Sequence, residues 1–253
     1  MTLPKYDFGQ RSAFVTGAGG GMGEEIALSL LRAGAYVTAV DLKPCPDSIA
    51  NFKDRIHFVQ GDLCDRAFVE KTFASHQGKR GGLDFLANVA GVLWFDRDKS
   101  LLEMDLNVWD EVFDINLKSM VLVSRIAVPL MRKRGGGSMV HFSTIQWMRG
   151  DPVPQDAYQA SKAAVSAMSR SLASQLAAEK IRSNTVLPGP VLTPMQKRWN
   201  SEEIRRQVAG HVPLQRIGSP ADLAQAAMFL FSDAGSFITG IDLPVDGGML
   251  LRS

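Results

Sequence analysis

Tyr158 and Lys162 stand four residues apart in "DAYQASKAAVS", at the head of an Ala/Ser-rich stretch with helical spacing. On a helix this spacing sets a phenol and an ammonium one turn apart on the same face. A free phenol has a pKa near ~10 and exchanges protons poorly at neutral pH. A neighbouring cation favours the phenolate and would bring the group into the range of a general acid and base. The plainer alternative is a surface helix with two unrelated polar residues, and the pair alone does not decide.

A second stretch, "TGAGGGMGEEIA", follows an apolar run and opens a helical pattern. Glycines between a strand and a helix let backbone approach a pyrophosphate, and the helix N-terminus offers free N–H groups to anions. The spacing is T-G-x-x-x-G-x-G through Thr16, Gly17, Gly21 and Gly23, with Gly20 and Met22 inside the loop; G-x-G-x-x-G is not met. The expectation is a dinucleotide site rather than a tight turn. The next strand ends at Asp41, followed by Leu42. A carboxylate there accepts from both adenosine ribose hydroxyls and repels a 2′-phosphate, so NAD(H) is expected rather than NADP(H). Lys43 is the one dissenting charge.

Short apolar runs that could carry these residues recur at 12–17, 35–41, 55–62, 83–91, 137–144, 181–189 and 240–248. Most are continuous Val/Ile/Phe/Ala runs, the signature of parallel strands covered on both faces. Helical patterns lie between them. One has Ile26, Leu30 and Ala33 on a stripe ended by Gly34, and another runs through Val165, Met168, Leu172 and Leu176. Strand–helix alternation throughout predicts an α/β fold, a Rossmann-type doubly wound parallel sheet of about seven strands with helices on both faces. With no linker or repeat, residues 1–253 are expected to form a single domain. The polar, Pro-flanked stretch 190–220 would be a substrate lid, an ordinary surface excursion being the alternative.

Composition narrows the partners. With 45% hydrophobic residues, 21% charged residues and a formal charge of +2, neither nucleic acid nor an anionic membrane is expected as a partner. Arg132-Lys133-Arg134 before three glycines reads as a helix C-terminus. Cys45 and Cys64 make neither a disulfide framework nor a metal cluster, so no metal is expected. The first residues, "MTLPKYDFGQR", lack an apolar stretch long enough for a signal peptide, and no run approaches the ~20 apolar residues of a membrane helix. A cytoplasmic protein acting on a small molecule is the expectation.

Taken in order, Thr16-Gly17-x-x-x-Gly21-x-Gly23, Asp62-Leu63, Asn88-Val89-Ala90-Gly91, Asn116, Tyr158/Lys162, Pro188-Gly189 with Thr193 and "VDGG" at 245–248 resemble the short-chain dehydrogenase/reductase family across nearly the whole chain. The resemblance implies an NAD(P)-dependent enzyme acting on CH–OH groups. Tyr158 would move the hydroxyl proton, Lys162 would also bond the nicotinamide ribose, and Asn116 would help hold a water that links Lys162 to solvent. Asp62 and Leu63 would border the adenine, and Asn88, Ala90 and Gly91 would wall the cofactor. Val191 and Thr193, after Pro188 and Gly189, would hold the carboxamide. The family's substrate-binding serine falls about thirteen residues before the tyrosine. Here Thr144 lies fourteen before, with Ser143 beside it; Thr144 is slightly favoured, and Ser143 stays open.

By the same resemblance, Trp94, Gln146, Trp147 and Arg149 flank the substrate space. A polyol or sugar, an alicyclic alcohol, a hydroxy acid and a small aromatic alcohol all remain possible. The rivals are an NADPH-dependent 3-oxoacyl-acyl-carrier-protein-type reductase and a nucleotide-sensing protein without catalysis; the intact Asn116, Tyr158 and Lys162 argue against the latter. The family's usual assembly is a homotetramer.

Overall fold

The seven apolar runs become seven parallel strands. They are β1 (Ser12–Thr16), β2 (Tyr36–Asp41), β3 (Ile56–Gln60), β4 (Phe85–Asn88), β5 (Gly137–Phe142), β6 (Ile181–Pro188) and β7 (Asp242–Val245), in the sheet order β3-β2-β1-β4-β5-β6-β7. The computed structural model describes residues 5–150, 153–196 and 198–251. The order reverses between β1 and β4, and such a switch opens a crevice at the strands' carboxyl ends.

Among the described residues, eight α-helices accompany the strands: α1 (Gly21–Arg32), α2 (Asp47–Ala50), α3 (Arg66–Arg80), α4 (Leu106–Phe113), α5 (Ser119–Arg134), α6 (Asp156–Leu176), α7 (Glu202–Gly210) and α8 (Pro220–Phe231). Their ends follow local chemistry. Asp65 caps α3 by accepting from the Ala67 and Phe68 amides, and Ser219 with Asp222 forms a capping box that starts α8 at Pro220. Arg132, Lys133 and Arg134 occupy the last turn of α5 before Gly135, as their order predicts.

Alternate strand residues feed two cores. On one face Val15, Ala39, Val140 and Val186 pack with Ile26 and Leu30 of α1 and Leu223 and Phe231 of α8. On the other, Phe14, Val40, Leu86 and Met139 pack with Phe73 of α3, Val123 and Met131 of α5 and Leu176 of α6. Burial on both faces accounts for the continuous apolar runs.

Between α4 and α5 the helix widens into a π turn, Asp114–Lys118, which holds Asn116 fully buried. Wide turns of this kind are concentrated at functional sites. No described helix is long and apolar enough to cross a membrane.

Candidate active site

The crevice at the switch point holds two adjoining cavities of about 390 and 380 Å³. The outer one is lined by Gly17, Gly20, Gly21, Met22 and Gly23 of the loop after β1, and by Asp41 and Leu42 after β2. Asp62, Leu63, Ala90, Gly91, Trp94 and Thr193 complete its wall. Gly17 has φ +72°, and a Cβ there would lie 2.8 Å from the Ala90 amide nitrogen. A Cβ on Gly23 would overlap the Gly17 carbonyl oxygen. The sequence must therefore be glycine at both positions for the helix to start this close to the strand.

Gly20 precedes α1 as its N-cap and no side chain caps the helix, so its first N–H groups keep their capacity for an anion beside the cavity. The Asp41 carboxylate accepts from the Gly19 and Lys43 amides, each at 2.8 Å, which fixes it at the rim with lone pairs to spare. A bare helix N-terminus, a glycine cradle and a fixed carboxylate suit a dinucleotide. Lys43 also lines this cavity. Cys64 does as well, but partial burial and the adjacent Asp62 push its thiol up to about 11, so it is no nucleophile.

The inner cavity is lined by Thr144, Ser143, Tyr158, Lys162, Pro188, Gly189 and Val191, with Gln146 and Arg149 beyond them. The half-buried Tyr158 phenol shares the cavity wall with Thr144, whose hydroxyl lowers the phenol's pKa. Ser143 is committed elsewhere: its hydroxyl donates to the Lys162 carbonyl at 2.7 Å. Lys162 is buried, and its ammonium donates to the Phe142 carbonyl at 2.8 Å, 6.0 Å from the centre of the Tyr158 ring.

Here the expectation of an acidified phenol is corrected. Burial pushes Tyr158 up to about 12, only partly offset by the Thr144 hydroxyl, and burial brings Lys162 down to about 8. The ammonium bonds a backbone carbonyl rather than the phenol, so loss of hydration outweighs its field.

Asn116 Oδ1 accepts from the Val92 amide at 2.7 Å, while its Nδ2 donates to the Val92 carbonyl and to Ser161. A Cβ on Gly91 would stand 3.0 Å from both Asn116 Oδ1 and Lys162 Nζ, so β4's end, the π turn and α6 meet at one point.

A family model described as enoyl-(acyl carrier protein) reductase matches residues 17–250. The chain belongs to the short-chain dehydrogenase/reductase family. A 3-oxoacyl-[acyl-carrier-protein] reductase of Thermotoga maritima is 34% identical over 242 residues, covering 94% of this chain and 96% of its own. An acetoacetyl-CoA reductase of an Acinetobacter strain is 31% identical over 250 residues, covering 96% and 99%. Among solved structures, a short-chain glucose/ribitol dehydrogenase from Brucella melitensis superposes with a TM-score of 0.86 at 31% identity, covering 97% of this chain and 99% of its own. As a short-chain dehydrogenase/reductase, the protein is a nicotinamide-dependent oxidoreductase.

Three residues expected at this family's site, Asn88, Asn116 and Trp147, line neither cavity. Asn88 is fully buried behind them, where its Nδ2 bonds Ser124 and His141 at 3.1 Å each. Trp147 lines neither cavity, and its indole Nε1 is buried among protein atoms. It sits in a 3-10 turn, Ile145–Met148, where side chains repeat every three residues. That period sets Gln146 and Arg149 on one side and Trp147 on another.

Other residues of the site were not foreseen. Gln196, Arg198, Trp199 and His211 close the inner cavity from the 190–220 excursion, and Met249 does so from the chain's last turn. Their stretch is polar and only weakly periodic, so no local signal marked them. Asp98 is also new. Its buried carboxylate accepts from the Ala157 amide at 3.1 Å and the Tyr158 amide at 2.8 Å. It thus caps α6 in place of Gln155, which has no capping bond.

Proposed function

We propose that this short-chain dehydrogenase/reductase moves hydride between NAD(H), in preference to NADP(H), and a secondary alcohol or ketone, with Tyr158 as general acid and base. The observation that carries the reading is the Tyr158 phenol, open to the inner cavity that Thr144 also lines and one helical turn from a buried ammonium.

Glycines 17–23 and the start of α1 would hold the pyrophosphate, Asp41 the adenosine ribose, and Asp62 and Leu63 the adenine edge. Lys162, with donors remaining after its bond to Phe142, would take the second ribose. Val191 and Thr193 would hold the carboxamide. When bound, the dinucleotide supplies the hydride donor or acceptor. Thr144 would orient the substrate oxygen, and Tyr158 would pass a proton to it in reduction or take one in oxidation. A phenol near 12 is neutral at pH 7, the form that donates, so the chain is better set for reduction there, and oxidation gains as pH rises. Asn116, with both Nδ2 protons and one Oδ1 lone pair engaged by Val92 and Ser161, would act chiefly by fixing Gly91 and Val92 against Lys162. Residues 190–220, carrying α7, would serve as the lid of a single catalytic domain. A fully exposed Phe237 beside β7 is compatible with assembly into a homotetramer.

A second reading, an NADPH-dependent reductase of 3-oxoacyl thioesters, has support in the names of the relatives and in Lys43 on the outer cavity. Nucleotide absorbance assays with NAD(H) and NADP(H) over alcohols, ketones and a 3-oxoacyl thioester separate the two. Tyr158→Phe should lose at least about 100-fold in turnover with cofactor binding kept. Turnover retained in that variant overturns the proton route.

A further inference from the structure

Behind the reacting groups runs a row of polar side chains that the proposed reaction does not use. Asn88, His141 and Thr185 are register neighbours on β4, β5 and β6, so their side chains leave the sheet on one face. That face lies under α5 and α6: Asn88 bonds Ser124 of α5, and Ser183, two residues before Thr185, meets Ser169 of α6 at 2.9 Å. Farther up α6, the Lys162 carbonyl accepts from Ser143. With Lys162 level with Ser143, and Ser169 with Ser183 and its β5 partner Met139, Ser166 falls level with His141 and Thr185.

Three polar atoms at this level, His141 Nε2, Thr185 Oγ1 and Ser166 Oγ, meet no hydrogen-bond partner, although none of these residues is more than 1% exposed. Asn88 Nδ2 donates to His141 Nδ1 at 3.1 Å, so Nδ1 accepts and Nε2 carries the ring proton. Asn88 Oδ1 is unpartnered as well, but Asn88 meets the ring at Nδ1 and is left out of this set. Most buried polar groups in folded proteins are paired, and where protein supplies no partner an internal water does. The set is neutral, since burial lowers His141 to about 4 and its companions are hydroxyls. One N–H donor beside two hydroxyls that both give and accept suits water, which does both, and does not suit a cation.

We propose that His141 Nε2, Thr185 Oγ1 and Ser166 Oγ bind one internal water, and that this water pins α6 to β5 and β6 beneath Lys162. Internal waters typically make about three hydrogen bonds, and here each comes from a different element. His141 is thereby a positioning residue. It directly precedes Phe142, whose carbonyl holds the Lys162 ammonium, and Ser166 stands one turn beyond Lys162 on α6. The tie thus fixes the lysine's carbonyl partner and its helix against each other. Its bearing on function rests on Lys162 binding the nicotinamide ribose, as proposed above; the water site itself does not.

The test begins with a crystal structure sharp enough to show ordered water, beside oxygen-17 relaxation dispersion, which counts long-lived internal waters. A peak within hydrogen-bond distance of all three atoms is expected, with one long-lived water fewer in Thr185→Val. Hydrogen exchange along α6 and fluorescence titration with NADH and NADPH then compare Thr185→Val and Ser166→Ala with the parent protein. Both variants should speed exchange around residues 162–166 and weaken dinucleotide binding roughly tenfold. Thr185→Ser, which keeps the hydroxyl, should recover both. A structure with no water between the three atoms would overturn the proposal. So would faster exchange with dinucleotide affinity unmoved, since the water would then serve stability alone. If the water is seen and its loss frees α6, while the parent protein binds neither dinucleotide, the tie stands and the nicotinamide reading fails. If dinucleotide binds and Tyr158→Phe abolishes turnover while no water is found, the reverse holds.

Discussion

The carboxylate of Asp98 accepts a hydrogen bond from the backbone amide of Tyr158 at 2.8 Å, across 60 residues of chain. It accepts from Ala157 as well, and burial holds its carboxyl above the usual range. A helix that presents a reactive side chain in its first turn would otherwise fray where precision is needed.

Asp98→Ala should therefore lower stability by about 1–2 kcal/mol, the usual range for losing a cap. It should lower kcat more than the KM for cofactor, because the loosened residue is Tyr158 itself. Asp98→Asn, which keeps one acceptor, should recover part of both. Urea midpoints beside steady-state constants check this; equal loss in kcat and KM would reduce Asp98 to a structural role.

The Thr144 hydroxyl lowers the phenol that burial has raised. Thr144→Val should move the alkaline limb of the kcat/KM profile for oxidation to higher pH and slow oxidation at pH 8. Ser143→Ala should leave that limb in place, since its hydroxyl serves the Lys162 carbonyl, and should cost about 1 kcal/mol of stability. Two pH profiles decide it, and a shift seen only in Ser143→Ala would reverse the roles.

His141 is fully buried, and burial lowers it from 6.5 to about 4. As pH falls, the unfolded chain binds the proton first. Stability present above pH ~6.5 is then lost down to pH ~4, by roughly 3 kcal/mol for this residue. His76, lowered to about 4 by burial, adds a loss of the same sign. His141→Asn should flatten the acid limb of stability between those pH values, read from denaturant midpoints.

Asp41→Ser should raise the NADP⁺-to-NAD⁺ ratio of kcat/KM at least about tenfold by removing a like charge from the rim. It should also weaken binding of both, since the Gly19 amide loses its acceptor. A ratio unchanged by the substitution would remove Asp41 as the selector.

The strands were legible because burial on both faces leaves an unbroken apolar run, and β1 to β7 each fall within the stretch expected for it. The glycine loop was legible because Gly17 and Gly23 answer a local steric demand. What escaped reading was non-local. Asp98 gains meaning only when the fold sets it against α6. Trp199 and His211 enter the cavity through a stretch whose pattern carries little periodic signal. Trp147 was assigned to the cavity because its three-residue turn was not foreseen, and the acidified phenol because sequence spacing says nothing of the Phe142 carbonyl that takes the ammonium.

The wide turn at Asp114–Lys118 sets a length rule for the chain. Buried Val108, Val112, Asn116 and Met120 recur at strict four-residue steps, and a regular α-helix drifts about 40° at each such step. The looser winding absorbs that drift, so α4 and α5 keep a common inward seam while Asn116 meets Val92. Single-residue insertions or deletions should thus be tolerated near the exposed Leu102 before α4 but not inside this rod, where one would swing the asparagine out of reach and leave a buried amide group orphaned.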